Sequence, residues 1–251
     1  MTAIVELEGV TRTFGEVTAL SEVDLTIAEG EFVALVGPPG SGKSTLLDLI
    51  AGLDRPTSGC VVVDGHLLDL LDEADLARLR RHHLGYASPR LPLLPELTLL
   101  DNLLLAARIA GTPASRARPR ALDLLERAGL ADRADHRPAE LSPGPRRRAA
   151  IARALVNQPL LLLVDEPTAG LDRGAGAEIT RLLATLRPEV STVVLATAQP
   201  EVAGACAERV VKLLDGRVVE DLEVMPALAQ GAETTAAEAA TAEAAAGEEG
   251  A

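Results

Sequence analysis

Residues 37–44 read Gly-Pro-Pro-Gly-Ser-Gly-Lys-Ser, between a continuous apolar run, Phe32 to Val36, and a helix-like segment, Ser44 to Leu53, that Gly52 and Pro56 close. A strand that turns through a glycine-rich loop straight into a helix admits few folds. It also has a chemical meaning, because Gly37, Gly40 and Gly42 let backbone N–H groups curl inward toward an anion, with the helix N-terminus adding its field. Pro38, Pro39 and Ser41 complete the loop, Lys43 brings an ammonium to the β- and γ-phosphates, Ser44 offers Mg²⁺ a hydroxyl, and Thr45 follows in the same helix start. A Gly/Pro turn with a chance Lys-Ser requires neither the strand before it nor the helix after it, so the segment is read as a nucleotide site.

A second constellation lies at Leu160-Leu161-Leu162-Leu163-Val164-Asp165-Glu166, an apolar strand that ends in two carboxylates. Asp165 is placed to reach Mg²⁺ through water, and Glu166 to polarise an attacking water. A buried strand ending in a solvated acidic turn is the bland reading, and beside a phosphate loop it is the weaker one. Thr192 to Thr197 and Arg209 to Leu214 supply two more apolar strands, the pattern of a parallel sheet. Ahead of the loop, Ile4 to Leu7 and the alternating Leu20 to Ile27 read as strands, as do Cys60 to Val63 before the Asp64-Gly65 turn. Asp72 to Arg81 reads as a short helix, Leu97 to Leu155 as a run of helices, and Lys212 to Asp221 as a hairpin turning at Asp215-Gly216.

Charge and composition restrict the partners. The 251 residues carry a net charge of −13, yet residues 76–154 hold 15 basic and 7 acidic groups, a basic segment inside an acidic chain. Its only lysines are Lys43 and Lys212, and its only aromatics are Phe14, Phe32 and Tyr86. The core must therefore be aliphatic, base-stacking platforms are excluded, and nucleic acid is not expected as a partner. Cys60 and Cys206 match no disulfide or zinc pattern. The opening MTAIVELEG lacks the features of a signal peptide and no apolar run approaches a spanning length, so a cytoplasmic location is expected, with any membrane role through a partner. After Pro226 the chain is Ala, Glu, Thr and Gly with few other residues, and 227–251 are expected to be a disordered tail.

The strings GPPGSGKSTLLDLIAGLDRPTSG, LSPGPRRRAAIARAL, LLLLVDEPTAGLD and TVVLATAQPE together resemble the ATP-binding subunit of ABC transporters over about residues 3–222, most nearly the lipoprotein-release and macrolide-export group. The resemblance implies an α/β phosphate-loop fold of ABC type over 1–226: a mixed or parallel sheet core, an N-terminal antiparallel β subdomain and a helical subdomain at about 90–155. It implies ATP and Mg²⁺ as cofactors, ATP hydrolysis with Glu166 catalytic, and Ser44 and Asp165 at the metal. It gives Phe14 the place of the aromatic that stacks on adenine. Two such domains would work head to tail, as homodimer or heterodimer, with Ser142 and Gly144 of one facing the nucleotide of the other and Ala169 to Asp172 crossing between them. Segment 90–140 would grip a separate transmembrane permease, leaving the chain peripheral on the inner face of the cell membrane.

Four residues, in three segments, depart from the family pattern. Pro89 stands where the family has a glutamine touching Mg²⁺ and the attacking water; Pro143 and Pro145 replace glycine and glutamine; Ala198 replaces a histidine that bonds the γ-phosphate. Pro143 removes a backbone N–H, while Ser142 as N-cap ahead of a first-turn proline still promises a sound helix start. Two further readings stay open on the residues alone: an ATP-binding regulatory or structural subunit with little hydrolysis, and a soluble phosphate-loop ATPase without a permease.

Overall fold

The computed structural model describes residues 2–185, 190 and 192–227. Two long strands open the chain, β1 (Ala3–Phe14) and β2 (Val17–Ala28), followed by β3 (Phe32–Val36), α1 (Lys43–Ile50), β4 (Ser58–Val63) and β5 (His66–Leu67). Helix α2 (Glu73–His82) and strand β6 (Leu84–Ala87) precede three helices, α3 (Leu99–Ile109), α4 (Ala114–Arg127) and α5 (Pro143–Leu155). The chain then alternates: β7 (Leu161–Asp165), α6 (Arg173–Thr185), β8 (Thr192–Thr197), α7 (Pro200–Cys206), β9 (Arg209–Leu214) and β10 (Arg217–Glu223).

The strands form two sheets. One is antiparallel, in the order β2-β1-β4-β5; the other runs β10-β9-β3-β8-β7-β6, parallel except for β10 at one edge. The period of two along the central strands sorts side chains between two cores. Val33, Leu35, Leu161, Leu163, Val194 and Ala196 face the antiparallel sheet and α1, while Phe32, Ala34, Leu162, Val164, Val193 and Leu195 face the helical layer. Both faces being covered is why these strands read as unbroken apolar runs.

Helix starts follow local chemistry. Asp72 Oδ1 accepts from Asp75 N at 2.9 Å to cap α2, and Thr98 Oγ1 accepts from Asp101 N at 3.0 Å to cap α3. The hairpin between β9 and β10 turns at Asp215 and Gly216, both with positive φ, as the Asp-Gly pair requires.

Two expectations are corrected. The first strand runs on to Phe14, because Gly9 at φ 56 bulges the strand between Leu7 and Val10 instead of ending it. Strand β6, absent from the sequence reading, pairs with β7 at the sheet edge; four residues are too short to show a period. The expected tail lies, but for Ala227, outside the described residues.

Phe32 is 1% exposed at the start of β3, where it pairs with Val193. Replacing it with alanine removes the largest side chain of that core and should lower the unfolding free energy by about 3–5 kcal/mol, read from urea denaturation. Val219→Ala, at a position 52% exposed on β10, should stay within about 0.5 kcal/mol of the parent.

Candidate functional site

Because β3, β8 and β7 are parallel, the loop after β3 and the end of β7 emerge on one edge of the sheet. The loop is walled by backbone. A Cβ on Gly37 would lie 2.2 Å from Leu213 O, and one on Gly42, at φ 100, would lie 2.5 Å from Ala19 O. Gly216 N donates to Ser41 O at 3.2 Å, tying the loop to the β9–β10 turn.

Inside this wall Lys43 is 4% exposed, and its Nζ donates to Gly37 O at 2.8 Å and Pro38 O at 3.0 Å. The same ammonium lies 3.5 Å from Glu166 Oε1. Ser44 Oγ donates to Asp165 Oδ1 at 2.9 Å. So four of the residues singled out in the sequence, two from each side of the sheet edge, meet at one point.

Glu166 is held on all sides. Its backbone sits in the left-handed region at φ 43, its N–H donates to Ala196 O at 2.8 Å, and its Oε2 accepts from Ala198 N at 3.2 Å. Arg147 Nη1 on α5 donates to its carbonyl. Burial lowers the Arg147 pKa, with the Glu166 charge working against that. Arg147, not singled out in the sequence, thereby belongs to the frame that holds Glu166.

The residues fit a magnesium nucleotide. Ser41 Oγ is buried in the loop without a protein partner, turned toward Gly37, where an added Cβ would meet it at 2.7 Å. Ser44 and Asp165 offer hard oxygens, and among the described residues no group of three or more His, Cys, Asp or Glu could hold a metal. A site with one carboxylate and one hydroxyl suits an ion that draws its remaining ligands from phosphate and water, as magnesium does.

The other expected residues are spread more widely. Phe14 is 49% exposed at the end of β1, with the Arg12 guanidinium 4.4 Å from its ring centroid, and Arg12 is itself gripped by Asp54 at 2.7 and 2.8 Å. Ser142 occupies the N-cap position of α5 but makes no cap hydrogen bond. Pro145 at the third helical position has no N–H to donate, which removes one of the two donors such a cap uses; the expected cap hydrogen bond is absent and the hydroxyl is exposed. Thr168 Oγ1 donates to Gln199 Oε1 at 2.8 Å, joining the segment after β7 to the start of α7. Ser88 is a further residue at the site that sequence reasoning missed: its Oγ donates to Asp165 Oδ2 at 3.2 Å. The visible signal was a lone hydroxyl closing the apolar run before Pro89.

A model of the family described as ABC transporter matches residues 20–169, well over half of the chain. The chain belongs to the ABC transporter family. The cassette is 46% identical over 222 residues to the macrolide export ATP-binding/permease protein MacB 1/2 of Paracoccus denitrificans (strain Pd 1222), a match covering 87% of this chain and 33% of that one. It is 38% identical over 216 residues to the lipoprotein-releasing system ATP-binding protein LolD of Bacteroides fragilis (strain YCH46), covering 86% of this chain and all of that one. The cassette thus spans about a third of the length of the macrolide-export relatives. Among solved structures, a dimeric ATP-binding cassette bound to ADP and Pi in a post-hydrolysis state is 40% identical with a TM-score of 0.81, covering 88% of this chain and 99% of that one. The cbiO1 protein from Clostridium perfringens, part of an ABC transporter complex, is 28% identical with a TM-score of 0.78, covering 89% of each.

The loop wall makes a graded prediction. Gly40→Ala meets no atom within 4 Å, so it should cost only left-handed strain of about 1–2 kcal/mol and a few degrees of melting temperature. Gly42→Ala drives a Cβ into the backbone of β2 and should both lower the melting temperature further and abolish ADP binding, measured by calorimetry.

Proposed function

We propose that this cassette binds Mg²⁺-ATP at the phosphate loop and hydrolyses it to drive a transmembrane permease. The observation that carries the reading is the meeting of the phosphate loop and the end of β7, Lys43 lying 3.5 Å from Glu166 and Ser44 2.9 Å from Asp165. Lys43 neutralises phosphate charge, and the loop's N–H groups cradle the oxygens. Ser44 and Asp165 would hold magnesium, which when bound offsets the charge on the phosphate oxygens. Glu166 orients a water and takes its proton onto the carboxylate that Ala198 N and Lys43 hold in place.

The dimeric state of the solved relative and the N-terminus of α5 support a head-to-tail pair in which Ser142 and Gly144 reach a partner's nucleotide. Phe14 would stack on adenine from the end of β1. The printed names of the relatives, a lipoprotein-releasing ATP-binding protein and macrolide export ATP-binding/permease proteins, support a permease as the driven partner, and no described helix is long and apolar enough to cross a membrane. The cassette would then sit on the inner face of the membrane, with residues 90–140 against the permease. A cavity of about 550 Å³ opens beside that segment, lined by Leu91, Pro92, Pro138, Arg146 and Ala150 among others.

Turnover should be slow. Pro89, Pro143 and Ala198 each remove one oriented contact, and a single such loss lowers a rate by about 10²–10³. Glu166→Gln should abolish ATP hydrolysis while ATP binding persists; unchanged phosphate release would refute the assignment. Restoring Pro89→Gln, Pro143→Gly and Ala198→His together should raise kcat at least about tenfold, since each returned contact is of that class. No gain would mean the cassette does not depend on those positions.

A further inference from the structure

We propose that Ser88 supplies to the magnesium site the oxygen that Pro89 withholds. The inference rests on the nucleotide reading above and concerns which residues of this chain hold the ion.

Asp165 ends β7 with its carboxylate bracketed by two hydroxyls, Ser44 Oγ on Oδ1 at 2.9 Å and Ser88 Oγ on Oδ2 at 3.2 Å. Ser88 is 7% exposed, so its oxygen is committed to the interior of the site. Residues 88–91 form a tight turn, with Leu91 N donating to Ser88 O at 3.0 Å and Pro89 at the position where a fixed φ favours it. Proline thus gives up a side chain but holds its neighbour still.

The turn is also clamped to the helix that carries Ser44. Arg90 Nη2 donates to Asp48 Oδ2 at 2.5 Å, Tyr86 OH donates to Asp48 Oδ1 at 2.9 Å, and Arg90 N donates to Ser88 Oγ at 3.3 Å. Asp48 lies one helical turn after Ser44 on α1. The metal-side hydroxyls of two segments are therefore set by one helix: Ser44 directly, Ser88 through Asp48, Tyr86 and Arg90. A serine hydroxyl is a hard oxygen of the same class as Ser44, and magnesium accepts such a group in its shell or on one of its waters.

The test is metal binding by the full chain. Mn²⁺ is titrated in the presence of ADP, and free Mn²⁺ is followed by electron paramagnetic resonance. Ser88→Ala should weaken Mn²⁺ affinity about 10- to 100-fold, with ADP affinity in EDTA unchanged, whereas Ser88→Thr should hold near the parent. Ser88→Cys, nearly isosteric, should shift the ADP-bound preference from Mg²⁺ toward Cd²⁺, because a thiolate is a soft ligand; it carries the test if the alanine variant fails to fold. A Ser88→Ala affinity within about twofold of the parent, or a cysteine variant without a Cd²⁺ preference, would overturn the proposal, since supporting groups at metal sites matter by more than that. If the parent itself shows no metal-dependent ADP binding, the nucleotide reading falls first and this inference with it.

Discussion

A 2.9 Å hydrogen bond from Ser44 to Asp165 joins residues 121 positions apart, and the site exists only where that contact closes. It closes because β3 and β7 run parallel on either side of β8, so that the loop after one and the carboxylates after the other reach the same edge. Aliphatic packing enforces the arrangement from both faces. Each central strand sends alternate side chains into two separate cores, and a slip of one residue would exchange them, moving Asp165 to the wrong side. Burial of Leu, Val and Ile is thus what positions the polar atoms, and the near absence of aromatic residues costs the fold little because these strands are covered on both faces.

Most of this was legible in the chain. The phosphate loop announced itself through glycine spacing between a strand and a helix, and Asp165 and Glu166 through an apolar run that ends in acids; both signals are local. What was not legible depends on tertiary contact. The first strand, read as Ile4 to Leu7, continues through a bulge at Gly9, and only the partner strands β2 and β4 show that pairing resumes beyond it. Nothing in the string RRR separates Arg147 from its neighbours, and it bonds the Glu166 carbonyl because the start of α5 lies beside the end of β7. Ser142 holds the expected N-cap position without making a cap hydrogen bond, and Pro145, which takes away one of the two donors, was visible in the chain.

The arginine-rich start of α5 also gives the basic segment a finer meaning. Arg148 Nη1 donates to Ala128 O at 2.8 Å, and Arg153 donates to Pro92 O at 2.8 Å and Leu91 O at 2.6 Å. Together with Arg147, these side chains bind backbone carbonyls of the helical layer, of the segment after β6, and of the residue after β7. A guanidinium with five fixed donors can satisfy several carbonyls that ordinary loops leave open, which a lysine ammonium does less well. These three arginines therefore work inside the molecule as fasteners of irregular backbone, and are not available for acidic partners.

The three departures from the family pattern share a physical character. At 89, 145 and 198 a polar side chain that could respond to a ligand gives way to proline or alanine, and at 143 a freely rotating glycine gives way to a proline of fixed φ. Pro89 sets a turn that Arg90 and Asp48 clamp; Pro143 and Pro145 preset the first turn of α5 while removing two N–H donors; Ala198 offers only its backbone N–H, which Glu166 Oε2 accepts at 3.2 Å. A site assembled from prolines, backbone donors and arginine-held carbonyls loses little conformational entropy when a ligand arrives, because the order is already present. The same rigidity removes contacts that would strengthen only as charge develops on the phosphate, and those are the contacts that accelerate chemistry. The slow turnover proposed for this cassette would then have one cause, the exchange of responsive groups for preset ones.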